Sequence, residues 1–198
     1  MLRFALVVVA TLTGLGLSGN AAPIPKPDPK ALPFFPAKVG AKWVYERNGK
    51  TSTETITSAE KDGDTILVKV HVLDEHGSES DLELKISREG VAVVAGLDEK
   101  HPPSLVLKLP HENKGSWKTY TGAWPAGTSK LTAYGPEPVE VPAGKYDAIR
   151  VVAVDAGKQG DDIRRTSWYA PGVGLVKKET EMGKNTSTCV LKTFTPGK

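Results

Sequence analysis

The sequence contains little of what commonly stabilises small exported domains or performs their chemistry. Cys189 is the single cysteine among 198 residues, so no intramolecular disulfide can form. It lies in a stretch where apolar and polar residues alternate, which favours a small buried side chain over the alternative of a reactive thiol. Stability must therefore come from packing, and the chain is long enough for one domain with a hydrophobic core.

Helical periodicity is absent after the first 21 residues, and basic residues do not cluster with aromatics, so we expect no nucleic-acid partner. The formal net charge is only +3, but the charge is unevenly distributed. Residues 51–113 hold six Lys or Arg against thirteen Asp or Glu, whereas residues 163–198 hold seven against two. This pattern predicts either two oppositely charged faces that meet within the fold or a surface for a partner.

The N-terminus carries the pattern of an export signal. Arg3 precedes an apolar run from Phe4 to Leu17, and small residues end the segment at Ala21. A membrane anchor is the alternative, but the run is too short to span a bilayer, so we expect no transmembrane segment in the mature chain. We predict a signal peptide over residues 1–21 and an exported protein, periplasmic or extracellular.

Residues 22–36 are rich in proline, which suppresses both helix formation and strand pairing. We predict an extended leader, with a proline-recognition motif as the alternative, and expect Phe34 and Phe35 to dock on the domain. From residue 37 to 198 the apolar residues mostly recur with a period of two, which is typical of half-buried antiparallel strands. The strands are predicted at 43–46, 51–58, 65–73, 82–86, 91–95, 105–109, 116–121, 130–134, 139–141, 146–156, 163–169, 175–182 and 186–195.

Two features indicate how these strands are arranged. Pro36, Gly40 and Trp43 resemble a later set of proline, glycine and tryptophan that ends at Trp117, which predicts two similar sheet halves. Apart from Arg150, residues 148–154 are apolar on both faces, which predicts a central strand or a strand that lines a lipid-filled concavity. Short connections between many strands predict one antiparallel meander.

No stretch carries a catalytic, cofactor or metal signature, so the sequence predicts no catalytic, cofactor-binding or metal-binding residues and no enzyme. The glycines of residues 172–174 could form a phosphate-binding loop, but a strand follows them instead of a helix, which favours a tight turn. His71, Asp74, Glu75 and His76 could hold a metal ion, but their spacing favours a solvated acidic loop. The basic pairs 164–165 and 177–178 are expected to be solvated.

A family resemblance adds to this interpretation. The chain resembles a group of exported bacterial β-proteins of unknown function, which are similar to the curved sheet of periplasmic lipoprotein carriers, the β-clam. The resemblance implies a fold and a compartment and supplies no catalytic residues. A lipobox cysteine is missing, which argues against membrane attachment. The motifs that carry the resemblance are Phe35–Pro36, Val39–Gly40, Trp43–Tyr45, Leu107–Pro110, Gly115–Trp117, Val141–Ala148, Val151 and Trp168–Lys177.

Taken together, these patterns predict an all-β, single-domain protein in which an antiparallel meander forms a curved sheet, a β-clam or an open barrel. We expect an exported, non-enzymatic monomer without a cofactor that binds an apolar or lipid-like ligand on the concave face. The alternative is a structural or protein-interaction module of the cell envelope whose core is filled by its own side chains.

Overall fold

The computed structural model describes residues 34–94, 103–121, 127–156 and 162–198. The predicted signal peptide and nearly all of the predicted leader lie outside these ranges. Within them the fold is all-β, and no helix has the length and apolar character needed to cross a membrane. The strands are β1 (Lys42–Arg47), β2 (Lys50–Asp62), β3 (Thr65–Leu73), β4 (Glu79–Ser87), β5 (Gly90–Val93), β6 (Ser104–Lys108), β7 (Ser116–Thr121), β8 (Gly127–Val141), β9 (Gly144–Ala156), β10 (Asp162–Ala170), β11 (Gly174–Met182) and β12 (Asn185–Thr195).

These strands form one antiparallel sheet in the order β6-β5-β4-β3-β2-β1-β12-β11-β10-β9-β8-β7. The sheet therefore consists of two six-stranded meanders, β1–β6 and β7–β12, which are joined where β1 pairs with β12. Trp43 is the second residue of β1 and Trp117 is the second residue of β7. The two tryptophans of the predicted repeat thus enter corresponding strands of the two halves.

The two edge strands, β6 and β7, meet and nearly close the sheet into a barrel. The backbone N–H of Leu105 on β6 donates to Oγ1 of Thr119 on β7 at 2.7 Å. The indole nitrogen of Trp117 donates to the carbonyl oxygen of Leu105 at 2.8 Å. Side chains of β7 thus satisfy both backbone groups of Leu105, as a ladder partner would.

Because neighbouring strands are antiparallel, the connections lie at two ends of the sheet. We call the end that holds Phe35 and the turns at 63–64, 88–89, 142–143 and 171–173 the leader end. The opposite end holds the turns at 48–49, 74–78 and 183–184, and we call it the far end.

The core combines side chains from both meanders. Trp43 is fully buried, and its indole nitrogen donates to the carbonyl oxygen of Val173 at 2.7 Å. Its ring packs against Phe35 of the leader at 5.2 Å and Phe194 of β12 at 5.6 Å between centroids, which confirms the predicted docking of Phe35. The largest side chains with almost no exposed surface are Trp43, Ile56, Ile86, Leu107, Ile149, Leu191, Val68, Val70 and Val176.

Strand β8 differs from its prediction, because the segments 130–134 and 139–141 belong to a single strand. The register between β8 and β9 shifts between Tyr134 and Glu137. Gly135 and Pro136 lie at this shift, and proline has no N–H for the ladder, so the sequence pattern indicated a break. The predicted tight turn at residues 172–174 is confirmed, since Gly172 and Gly174 have φ of 72° and 86° and β11 begins at Gly174.

Candidate functional site

Charged side chains face the interior of the sheet in its far half. Arg47 on β1 lies directly opposite Cys189 on β12, and Cys189 lies opposite Lys178 on β11. Side chains alternate between the two faces of a strand, so Arg47 shares its face with the buried Tyr45, two residues earlier. Arg47, Cys189 and Lys178 belong to a larger group of side chains, which we call the interior charge cluster. It comprises Arg47, Glu54, Asp155, Arg165, Lys178 and Cys189.

Glu54 on β2 lies opposite the buried Trp43 and is half-buried. Burial raises the pKa of its carboxyl group to about 7, and the positive charge of Lys178 partly opposes this rise. Neither the Glu54 carboxyl group nor the Lys178 ammonium group forms a hydrogen bond or salt bridge within the described ranges. The opposite charges of the two groups attract each other, but neither group has a hydrogen-bonded protein partner in that part of the chain.

The remaining charges of the cluster are partly paired. Asp155 on β9 accepts hydrogen bonds from Arg165 on β10 and from Ser129 on β8, so it ties three adjacent strands together. Nη1 of Arg47 lies 3.6 Å from Oε1 of Glu75 in the loop between β3 and β4. The Nε–H of Arg47 is buried and has no acceptor among the residues that the structure describes.

Burial also shifts the other titratable groups of this interior. It lowers the pKa of Lys178, and the positive charges of Arg165 and Arg47 lower it further. Burial raises the pKa of the Cys189 thiol, although the neighbouring Arg47 opposes the rise. A neutral Cys189 thiol adds no negative charge beside Arg47 and Lys178, so Glu75 and the ionised form of Glu54 are their counter-charges.

Most of this cluster was not predicted from the sequence. Arg164 is exposed as predicted, but Arg165 and Lys178 were predicted to be solvated, and this was wrong because both side chains face the interior. The alternation of β10 and β11 contained a usable signal, since one member of each basic pair must point inward. Glu54 and Arg47 gave no comparable signal, because strand pairing brings them to β11 and β12 from far away in sequence.

The four tryptophans have different environments. Trp43 fills the leader end of the interior, whereas Trp168 lies on the opposite face of β10 from Tyr169 and donates to Oε1 of Glu137 at 2.8 Å. Lys177 lies 4.8 Å above the Trp168 ring, so this lysine and its neighbour Lys178 occupy opposite faces of β11. Trp117 is half-buried where the edge strands meet, and Trp124 lies outside the described residues.

A second concave feature lies at the leader end, next to the connection between β6 and β7. This cavity has a volume of about 210 Å³. Nε2 of His111 in its wall lies 3.2 Å from the carbonyl oxygen of Gly135. The cavity is lined by Lys108, Leu109, Pro110, His111, Glu112, Gly115, Ser116, Trp117 and Ala133.

The acidic loop at the far end is held by its own side chain. Oδ1 of Asp74 accepts hydrogen bonds from the backbone N–H groups of His76 and Ser78, both at 2.8 Å. These bonds lower the pKa of Asp74. Within the described ranges no group of three or more His, Cys, Asp and Glu side chains is arranged to hold a metal ion.

Comparison with known proteins gives a structural relationship but no family. No protein-family model matches the chain, and no curated protein matches it. The crystal structure of a Bacteroides fragilis protein, described as an inferred exported protein with a YmcC-like fold, is similar with a TM-score of 0.58 and 16% identity. The match covers 82% of this chain and 98% of that one. A Parabacteroides distasonis protein described as an inferred lipoprotein has a TM-score of 0.49 and 16% identity over 82% of this chain and 99% of its own. The all-β fold is thus similar to the YmcC-like fold of the Bacteroides protein, whose description as exported agrees with the export predicted from residues 1–21.

Proposed function

We propose that this chain is an exported, non-enzymatic binding protein of the cell envelope that holds a small ligand at the interior charge cluster. The observation that carries the proposal is that Glu54 and Lys178 face the same interior and that neither forms a hydrogen bond or salt bridge with the described residues. Partly buried charged groups that form no hydrogen bonds destabilise a fold, so their presence is best explained by a ligand that supplies those bonds.

The apolar part of the interior favours a compact or polar-headed ligand over a long acyl chain. The side chains of Trp43, Ile149 and Leu191 have almost no exposed surface, because the core side chains of both meanders fill this part of the interior. An apolar or lipid-like ligand on the concave face remains a prediction. Its apolar part would have to lie close to the interior charge cluster, because the rest of the interior is filled.

The environments of the described histidines do not favour a serine hydrolase. Nδ1 of His71 lies 3.2 Å from a carboxylate oxygen of Asp81 on the exposed surface, and Nε2 of His76 lies 3.9 Å from Oε1 of Glu75. None of the three histidines that the structure describes is hydrogen-bonded to a serine, as a serine hydrolase requires.

Native mass spectrometry of the protein purified from its own host, followed by lipid extraction, tests the proposal. We expect a co-purified small molecule in the wild type and in Lys177→Leu, whose altered side chain lies on the outer face. The extra mass should be absent from Lys178→Leu. A wild-type protein that is empty and instead co-purifies with an envelope protein would support the alternative, an interaction module with a filled core.

A further inference from the structure

We propose that the interior charge cluster binds an anion, a carboxylate or phosphate group held by the Lys178 ammonium and the Arg47 guanidinium, and that Glu54 takes up a proton when it binds. This inference rests on the proposed function, since it names the ligand class of the same site.

The charge balance of the cluster leaves an excess of hydrogen-bond donors. Asp155 neutralises Arg165, Glu75 lies beside one end of the Arg47 guanidinium, and Glu54 opposes the charge of Lys178 only while it is ionised. The Nε–H of Arg47 and the ammonium group of Lys178 remain without acceptors within the described ranges. Both groups are donors only, so the missing partner must be an acceptor, and an anion satisfies both best.

The spacing of the two cations suits a small anion. Arg47 and Lys178 lie in one cross-strand row with Cys189 between them. Two strand spacings separate their backbones by about 10 Å, a span that the long side chains of lysine and arginine can cover from both sides. The carboxylate or phosphate would thus lie above the neutral Cys189 thiol, which offers no competing charge.

Glu54 is the group that makes binding depend on pH. The titratable groups that face it are Tyr45 and Arg47 from β1, Tyr169 from β10, Lys178 from β11 and Cys189 from β12, and its partner on β3 is the apolar Val72.

Neither tyrosine exchanges a proton near neutral pH, since burial raises the pKa of Tyr45 and raises that of Tyr169 to about 12. An incoming anion repels the Glu54 carboxylate and favours its protonated form. Because the pKa of Glu54 is about 7, anion affinity should fall as the pH rises above this value, by up to about tenfold per pH unit.

Isothermal titration of the protein with octanoate, octanol and inorganic phosphate tests the inference. Octanoate and octanol share a chain and differ in charge, while phosphate distinguishes a free anion from the head of an amphipathic acid. We expect octanoate to bind about tenfold more tightly at about pH 6 than at about pH 8, and octanol to bind at least about tenfold more weakly than octanoate at the lower pH. Repeating the titration in buffers of different ionisation enthalpy should show proton uptake at the higher pH.

Four variants complete the experiment. Lys178→Met should abolish octanoate binding, whereas the outward-facing Lys177→Met should bind like the wild type. Glu54→Gln should retain binding and lose its pH dependence. Lys178→Arg keeps the charge and should retain binding. It is the control for a loss of binding that results from misfolding.

The failure of this inference differs from failure of the proposed function. Octanol that binds as tightly as octanoate, with the same loss in Lys178→Met, would overturn the anion inference and leave an interior binding site in place. Lys178→Met that binds like Lys177→Met would exclude the cluster as the site. If none of the three probes binds and the protein purifies empty, both proposals are wrong.

Discussion

Trp117 and Leu105 are joined across the two edge strands by a 2.8 Å hydrogen bond from the indole nitrogen to the carbonyl oxygen. Thr119 completes the pairing by accepting the backbone N–H of the same leucine at 2.7 Å. The seam between β6 and β7 is therefore held by two side chains. In this respect it differs from the ladders that join the other neighbouring strands.

The seam should weaken when its donor is removed. Trp117→Phe keeps an aromatic ring but leaves the carbonyl oxygen of Leu105 without its partner, which should lower the free energy of unfolding by about 1–2 kcal/mol. Urea denaturation measures the loss, and amide hydrogen exchange at Leu105 should become faster. The control is Lys118→Ala, because Lys118 is exposed between the two seam residues. Equal stability of Trp117→Phe and Lys118→Ala would show that the bond contributes nothing.

Gly174 should tolerate no side chain. Its φ is 86°, and a Cβ atom would lie 2.8 Å from Cδ2 of Phe35. Gly174→Ala should therefore cost about 1–2 kcal/mol in backbone strain and roughly 1–3 kcal/mol more through the clash, and Gly174→Val should cost still more.

Gly172 provides the matched control for this glycine. Its φ is 72°, but nothing lies within 4 Å of a Cβ atom there, so Gly172→Ala should show only the backbone strain. Thermal unfolding of the two alanine variants measures the difference. If Gly174→Ala and Gly172→Ala had the same melting temperature, the Phe35 ring would have to move aside without an energetic cost.

Stability should decrease as the pH rises towards neutrality. The raised pKa of Glu54, about 7, means that the folded protein binds more protons than the unfolded chain between about pH 4.5 and 7. The free energy of unfolding should fall across this window, by up to about 3 kcal/mol, and should change little from this cause above it. Urea denaturation at several pH values should show the fall in the wild type and a weaker one in Glu54→Gln. The exposed Glu60 lies on the same strand, and Glu60→Gln should keep the wild-type profile.

Asp155 should be the most sensitive charged residue of the cluster. Its carboxylate is 8% exposed and accepts hydrogen bonds from Arg165 and Ser129. Asp155→Ala leaves the Arg165 guanidinium buried without a counter-charge, so we expect a loss of about 3–5 kcal/mol. Adding Arg165→Leu to this variant should restore part of the stability in chemical denaturation. A double variant as unstable as the sum of the two single ones would contradict the pairing.

The general architecture follows from the sequence because alternation and turn residues are local signals. The Asn48–Gly49 turn, for example, has φ of 51° and 76°, as the predicted tight hairpin requires. The strand that begins at Thr65 has the predicted bounds.

The interior charge cluster could not be predicted in the same way. Its members come from β1, β2, β9, β10, β11 and β12, and pairing between the first and last strands brings them together. Which member of a basic pair points inward also depends on register shifts such as the one between Trp168 and Tyr169. Neither the pairing nor the shift has a signature in residue spacing.

The pairing of the first and last strands also means that the chain can be reordered without changing the fold. The N–H of Lys198 donates to the carbonyl oxygen of Val39 at 3.3 Å, so the segment before β1 and the segment after β12 lie side by side. A circular permutant that joins them by a short linker and opens between residues 109 and 115 would retain every strand ladder. In that permutant β12 and β1 would become a local hairpin, and the largest loop would instead be closed by the side-chain hydrogen bonds between β6 and β7.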